Sequence, residues 1–294
     1  MQYLIDASVY VFRAYYSMPD DMVDDDGNPV NALYGFCRFI GDFMEQVQPD
    51  HIAILFDESL STSYRTKIFP EYKANRDPAP PELKRQFAQC RRFARALGLM
   101  ECAYPGYEAD DLIGTLVTEG RSQGIPSTVV TRDKDLAQLI DKNDVFWDFA
   151  GKGKVTYDMI PDYFGVWPEQ IADFLALAGD TVDNIKGVPG VGKKTATALL
   201  QHFGSLEKLY ESLGSVHEVN VRGAKTLGQK LETHKEDALL ARRLTGIACD
   251  APIEMPKTGL RPTAPDLGNI NALYDEAGIG MALRRQAERV SDLI

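Results

Sequence analysis

The sequence predicts an α/β fold: a central, mostly parallel sheet flanked by helices, joined to a helical region in the second half. Three observations carry this expectation. The runs YLID (residues 3–6), IAILFD (52–57) and STVVTRD (127–133) are rich in apolar and β-branched residues and read as strands buried on both faces. Helical patterns separate them, as parallel crossovers require. Beyond about residue 166 strand signals stop and helical periodicity continues to about Leu244.

Each predicted strand ends on an aspartate: Asp6, Asp57 and Asp133. Residues 31–47 and 82–99 read as helices. In the second of these, Phe87, Cys90, Arg91 and Ala94 share one side, and Arg85, Arg92 and Arg95 leave the other largely basic. The DPAPP stretch at 77–81 cannot be helix interior and interrupts the basic segment. Glu108, Asp110 and Asp111 open another helix, whose Leu112, Ile113, Leu116 and Val117 form the core face. Residues 144–149 read as a further strand before a GKGK turn at 151–154.

Pro168 is placed for a first helical turn, and Ile171, Phe174, Leu175 and Ala178 make an apolar stripe. A second helix is expected from about Lys193 to His202, with Gly204 beyond it. A Pro-rich stretch at 250–266 leads to a final amphipathic piece at 269–290. The expected organisation is an α/β core at 1–165, a helical region at 166–255 and an extension at 256–294 with no assigned role.

Bulk properties narrow the class. The chain has 294 residues, 44% hydrophobic and 26% charged, which suits a globular protein. It lacks a basic leader with a cleavage site, and no apolar stretch approaches the ~20 residues of a membrane span. Cys37, Cys90, Cys102 and Cys249 are far apart, which argues against zinc and disulfides and fits a reducing cytoplasm. The net charge of −11 opposes nucleic-acid binding when taken as a sum. Its distribution says more. Between residues 61 and 95, nine Lys/Arg face three acids, a net +6, whereas five aspartates crowd into residues 20–26 and read as a solvated face.

The stretch GVPGVGKKTATALL (187–200) matches most of a nucleotide-binding P-loop, but Lys194 stands where a hydroxyl is required and Thr195 comes one place late. A P-loop also joins a strand to a helix, and the preceding segment here reads as helix. The glycines fit a helix–hairpin–helix instead. Gly190 and Gly192 let backbone N–H groups approach a phosphate at a helix N-terminus, with Lys186, Lys193 and Lys194 adding charge. This is a sequence-indifferent grip on a phosphodiester backbone.

The carboxylates supply the chemistry. In an open α/β sheet, ligands sit beyond the carboxyl ends of the strands, so Asp6, Asp57 and Asp133 are placed to converge. Glu108, Asp110 and Asp111 suit a helix N-terminus, yet three acids in four residues repel one another. Asp135 follows Asp133 closely, and Asp180 and Asp183 precede the hairpin. Nine carboxylates without His or Cys specify a hard divalent cation, Mg²⁺ or Mn²⁺. Two such ions suit an in-line phosphoryl displacement.

These motifs together resemble the 5′-nuclease (flap endonuclease) family, and within it the 5′–3′ exonuclease domain of bacterial DNA polymerase I. The resemblance runs through LIDASVYVFRAYY, FDES, RTKIFPEYKANR, GYEADDLIGTL, TRDKDLAQL and FLALAGDTVDNIKGVPGVGKKTA, and more weakly through HKEDALLARRLTGIACDAPI, over about residues 1–255. It implies a PIN-like nuclease core, a helix–three-turn–helix at about 168–203 that binds duplex DNA, often with K⁺, and a basic arch at about 61–95. It implies that Asp6, Asp57, Glu108, Asp110 and Asp111 hold a first metal and that Asp133, Asp135, Asp180 and Asp183 complete a second, partly through water.

Arg13, Lys73 and Arg76 match positions that contact the scissile phosphate and the 5′ strand, and Tyr72 either joins them or anchors the arch in the core. Lys186, Gly187, Gly190, Gly192, Lys193, Lys194 and Thr195 form the implied DNA grip. For Arg65 and Lys67, surface charge and DNA contact remain alternatives. The expected protein is a monomeric cytoplasmic nuclease, standing apart from any polymerase, that acts on DNA 5′ ends or flaps in replication and repair. The competing readings are a DNA-structure-binding protein that does not cut, a D-x-D site of the topoisomerase–primase kind at Asp133 and Asp135, and a ribonuclease of related fold.

Overall fold

Strand β1 (Gln2–Asp6) divides the interior in two, because its pleat sends Leu4 to one hydrophobic cluster and Ile5 to the other. Helix α1 (Ala7–Ser17) follows without a loop, then α2 (Asn31–Val47) and β2 (Ile52–Leu55). In β2 Ala53 and Leu55 join the cluster of Leu4, and Ile52 and Ile54 that of Ile5. The computed structural model describes residues 1–58, 63–149, 151 and 153–294. Ser59 of the FDES motif, Ser61 and Thr62 of the basic window and Lys152 of the expected turn lie outside the described residues.

The chain continues through α3 (Tyr64–Ile68), α4 (Pro81–Ala96), β3 (Met100–Cys102), α5 (Ala109–Ser122) and β4 (Ser127–Val130). A 3₁₀ turn at Lys134–Leu139 precedes β5 (Val145–Asp148) and β6 (Gly153–Thr156). The sheet has the order β3-β2-β1-β4-β5-β6. All neighbours are parallel except the β5–β6 hairpin. The mostly parallel sheet expected from the sequence is therefore present. Strand β3 was not anticipated: it is three residues long, at the sheet edge, and carries Glu101, which Arg91 and Arg95 hold.

The second half holds α6 (Ile160–Phe164), α7 (Ile171–Ala178), α8 (Lys193–Phe203), α9 (Leu206–Glu211), α10 (Ala224–Thr233) and α11 (Lys235–Thr245). Its apolar residues are continuous with the α5 side of the sheet. After a stretch without regular structure come α12 (Leu267–Glu276) and α13 (Met281–Ser291). Within the unassigned extension these two helices cover α2 and α4, so Ile270, Tyr274, Leu283 and Val290 complete the opposite layer of the core.

The basic window is not one arch. Leu83, Cys90, Phe93 and Ala94 bury α4 in the core, and its four arginines are paired at once. Arg85 meets Asp24 at 2.7 Å, Arg91 meets Glu58 at 3.0 Å, Arg92 meets Glu276 at 2.7 Å and Arg95 meets Glu101 at 3.2 Å. The acidic loop at 20–26 is likewise built rather than merely solvated at one point. Asp24 is buried and accepts from the Asn28 backbone N–H at 2.8 Å, and Arg85 lowers its pKa to about 2, well below the usual carboxylate range.

Candidate active site

The parallel register fixes where the acids fall. Asp6 ends β1 opposite Leu55, so Asp57 lies just past the same edge, and Asp133 follows β4 there as well. Each acid also serves the backbone locally. Asp6 caps α1 through the Val9 N–H at 3.4 Å and accepts from Thr131 Oγ1 at 2.8 Å. Asp57 accepts from the Ala109 N–H at 2.9 Å at the start of α5, and its own N–H donates to Ser8 Oγ at 3.1 Å. Asp133 accepts from the Asp135 N–H at 3.0 Å. Helix starts thus aim several carboxylates at one place, as the dipole favours.

Electrostatics shows that they meet. Burial raises Asp6 to about 8, with Asp57 and Asp133 adding to it. Asp110 lies well above its usual range through burial and then the charges of Asp133, Asp6 and Asp57. Asp133 is raised by burial and by Asp183 and Asp180, and Asp135 reaches about 8 through burial, Asp133, Asp180 and Asp183. Asp180 is raised by burial and Asp183. Carboxyl oxygens of Asp135, Asp180 and Asp183 lie within 4.8 Å of one another. Asp133 and Asp135 therefore share a pocket with Asp6, Asp57 and the hairpin entrance, an arrangement that the D-x-D reading has no place for.

Seven of the nine predicted acids, Asp6, Asp57, Asp110, Asp133, Asp135, Asp180 and Asp183, are linked in this way. Glu108 adjoins them in a different state. It accepts from Ser63 Oγ at 2.9 Å and Tyr72 Oη at 3.3 Å, and the Lys73 ammonium rests directly on it. Burial opposes the Glu108 charge, but Lys73 and Arg65 outweigh it and hold the carboxyl below its usual range.

Asp111 departs from the expected set. It is fully buried, and both oxygens are taken: Arg65 Nη1 and Nη2 grip it at 2.8 Å each, and the N–H groups of Glu108 and Ala248 donate to it at 3.0 and 2.9 Å. No lone pair remains to face the pocket, so Asp111 is withdrawn from the metal set. Arg65 is corrected with it, since a side chain in a residue 3% exposed is neither surface charge nor a DNA contact.

Among the cations, Lys73 is nearly buried, touching Glu108 and lying 3.6 Å from Asp183. Burial works against its charge, yet Glu108, Tyr72 and Asp183 hold the ammonium well above its usual range. Arg76 reaches Asp183 from an exposed position. Arg13 lies on α1, two turns beyond Asp6 and half-buried. Tyr72 is corrected to an interior role: it is 6% exposed and its hydroxyl donates to Glu108 and, at 3.1 Å, to Asp183.

Beside the pocket, α7 and α8 enclose the predicted hairpin. Gly190 adopts φ +82°, which favours glycine, and Gly192 is the N-cap of α8. Lys186, Lys193 and Lys194 are exposed, and Thr195 is half-buried. Gly187 works differently from its neighbours: a Cβ there would lie 2.3 Å from Gly179 N and 2.5 Å from the Leu177 carbonyl, so it closes the hairpin against α7. Sequence reasoning missed Lys230 of α10, whose Nζ lies 3.3 Å from where a Gly190 Cβ would stand. It also missed Ser63, Thr131 and Ser8, which orient the acids; a hydroxyl two residues before Asp133 was the available hint for Thr131.

An acidic pocket on the carboxyl edge of a parallel sheet, beside a helical hairpin with exposed lysines, is the arrangement that the resemblance to the 5′-nuclease family implied. The chain belongs to the 5′–3′ exonuclease family: residues 1–164 match its N-terminal resolvase-like domain and residues 166–267 its C-terminal SAM fold. DNA polymerase I of Pseudomonas aeruginosa is 40% identical over 274 residues, which cover 93% of this chain and 30% of that protein. The chain thus spans about 30% of the length of such polymerase relatives. A coverage of 93% also carries the similarity past residue 255, beyond the motifs that mark the resemblance.

A 5′–3′ exonuclease of Buchnera aphidicola is 34% identical over 253 residues, with 86% of this chain and 88% of that protein covered. The D15 protein of phage T5, solved with metal ions, shares the fold at a TM-score of 0.66 and 16% identity, covering 99% of this chain and 98% of that one. As a flap endonuclease in complex with DNA and metal ions it matches at a TM-score of 0.63 and 17% identity, with the same coverages of 99% and 98%. No described helix is long and apolar enough to cross a membrane.

Proposed function

We propose that the chain is a structure-selective 5′–3′ exonuclease and 5′-flap endonuclease that hydrolyses DNA phosphodiesters to 5′-phosphate products in replication and repair. The observation that carries this is the convergence of seven aspartates, from three strand ends, α5 and the hairpin entrance, beside exposed lysines at a helix N-terminus. A binding protein has no use for such a concentration of charge repelling phosphate.

The pocket fits divalent ions: its donors are all oxygens, and mutual repulsion among buried carboxylates is what a 2+ charge relieves. Asp6, Asp57, Glu108 and Asp110 would hold one Mg²⁺ or Mn²⁺, and Asp133, Asp135, Asp180 and Asp183 a second. Bound ions would supply the Lewis acidity that activates water and stabilises a leaving 3′-oxygen. The protein's own groups do the rest. Thr131, Ser8 and the α5 N-terminus orient the acids. Lys73 and Arg76, now on Glu108 and Asp183, are close enough to meet a phosphate entering the pocket, with Arg13 on the adjoining helix. Gly190, Gly192, Lys193, Lys194, Thr195 and Lys186 hold duplex backbone, and K⁺ at the hairpin belongs to the same proposal.

In this reading residues 1–165 cut and residues 166–255 grip. The partners are DNA 5′ ends and flaps, with a DNA polymerase as a further partner, and the chain works as a cytoplasmic monomer. Labelled 5′-flap, nicked and single-stranded DNA, with and without Mg²⁺, tests it. Flap removal near the junction, only with the ion, is expected. Tight flap binding with no cleavage in either Mg²⁺ or Mn²⁺ returns the protein to the non-cutting class, and faster cleavage of a matched RNA flap returns it to the ribonucleases.

A further inference from the structure

Arg65 spends every donor in the interior. Its Nε donates to the Leu244 carbonyl at 2.9 Å and Nη2 to the Gly246 carbonyl at 2.9 Å, while both terminal nitrogens grip Asp111. Asp111 accepts in turn from the Ala248 N–H at 2.9 Å. The end of α11 and the residues after it are therefore strapped to the start of α5. The same strap is tied to α7: Arg242 pairs with Asp173, and Thr245 Oγ1 donates to the Ala172 carbonyl at 2.9 Å. Helix α7 leads straight into the hairpin. On its other side Arg65 Nη1 lies 3.4 Å from Glu108 Oε1.

We propose that Arg65 and Asp111 are a positioning pair, a buried joint that fixes the DNA-gripping helices against the nuclease core and sets the Glu108 carboxylate, with neither side chain touching substrate or metal. A joint needed only for stability gains little from charge, because apolar residues of similar volume replace buried ion pairs at no loss or with a gain. An apolar pair does not orient Glu108, nor does it satisfy Leu244, Gly246 and Ala248. Lysine in place of Arg65 keeps the charge and loses the planar fork.

The inference rests on the proposed nuclease reading for its kinetic, Mg²⁺ and flap-DNA arms, and not for melting or hydrogen exchange. The full-length chain is prepared as R65K, D111N and the double variant R65M/D111L. Melting temperature, hydrogen exchange at the Ala248 and Asp111 amides, Mg²⁺ stoichiometry by titration calorimetry, flap-DNA Kd in EDTA, and kcat with KM are measured. Both single variants should melt lower and exchange faster at Ala248.

The double variant should regain only part of the melting temperature that D111N loses, because Leu244, Gly246 and Ala248 stay unpaired, and none of the kcat, which falls about 10- to 100-fold, the scale on which small misplacements act. Its Mg²⁺ stoichiometry should match wild type, and its DNA Kd should stay within about twofold of it. Loss of a bound ion in D111N that R65K does not share makes Asp111 a ligand and overturns the proposal. Wild-type kcat in the double variant reduces the pair to a structural one and overturns it equally. If D111N fails to fold, R65K and the double variant carry the test. A wild-type chain that cuts no flap sinks the nuclease reading alone, since melting and hydrogen exchange still judge the joint.

Discussion

Replacing Asp135 by Asn removes one charge from a pocket that holds too many. Asp135 is raised from 3.8 to about 8 by burial and then by Asp133, Asp180 and Asp183. At roughly 1.4 kcal/mol per tenfold change, that rise corresponds to an upper limit of about 6 kcal/mol. A carboxyl whose folded pKa exceeds its unfolded value holds its proton more tightly when folded. Its contribution is complete below about pH 4 and is lost as pH climbs towards 8. The metal-free protein should therefore weaken across that window, whereas Asn does not ionise.

Several neighbouring acids share the protons, which lowers the working expectation to about 2 kcal/mol at pH 8, still a sizeable part of a typical total of about 5–15 kcal/mol. Urea unfolding in EDTA at pH 5 and pH 8, repeated in Mg²⁺, reads the effect. Asp135→Asn should be the more stable protein at pH 8 in EDTA, by a margin that is smaller at pH 5 and closes below about pH 4. It should be the less stable one in Mg²⁺, because it gains less from the ion. A variant that is less stable than wild type at pH 8 without divalents would show that Asp135 is held by attraction, and the crowded-pocket argument would fail.

Lys73→Met leaves the buried Glu108 without its nearest cation and should lower kcat on flap DNA about 100-fold, while Mg²⁺ added to the free protein binds at least as tightly as before; unchanged kcat would remove Lys73 from the chemistry. The double change Lys193→Glu and Lys194→Glu should weaken duplex binding whatever the base sequence and flatten the dependence of log K on log salt by about 0.9 for each phosphate that is no longer neutralised. A slope equal to wild type, measured by fluorescence anisotropy between low and moderate salt, would place the duplex elsewhere on the surface.

How far the site was legible depends on which residues parallel geometry constrains. Asp6, Asp57 and Asp133 follow apolar runs, and parallel strands bring such ends to one edge, so their meeting was readable without contacts. Asp110 and Asp111 are adjacent and identical in type, and in a helix they point about 100° apart. Composition does not say which one faces the pocket. The local hint is that Gly114 and Thr115, three and four residues on, are small or hydroxylic: a Cβ at Gly114 would lie 2.8 Å from Ile247, and Thr115 Oγ1 accepts from the Ala251 N–H at 2.9 Å. That face of α5 is shaped to receive the strap after α11, and Asp111 lies on it. Charge counting fails at the basic window for a related reason. The sum of +6 belongs to the sequence, but its neutralisation belongs to contacts with Asp24, Glu58, Glu101, Asp111, Asp183 and Glu276, most of them distant along the chain. Lys67 and Lys84 alone among its nine cations keep no ion pair among the described residues. A positive field for a phosphodiester backbone has then to come from elsewhere, and the exposed Lys186, Lys193, Lys194 and Lys230, which make no ion pair among the described residues, surround the one hairpin whose glycines let a phosphate approach.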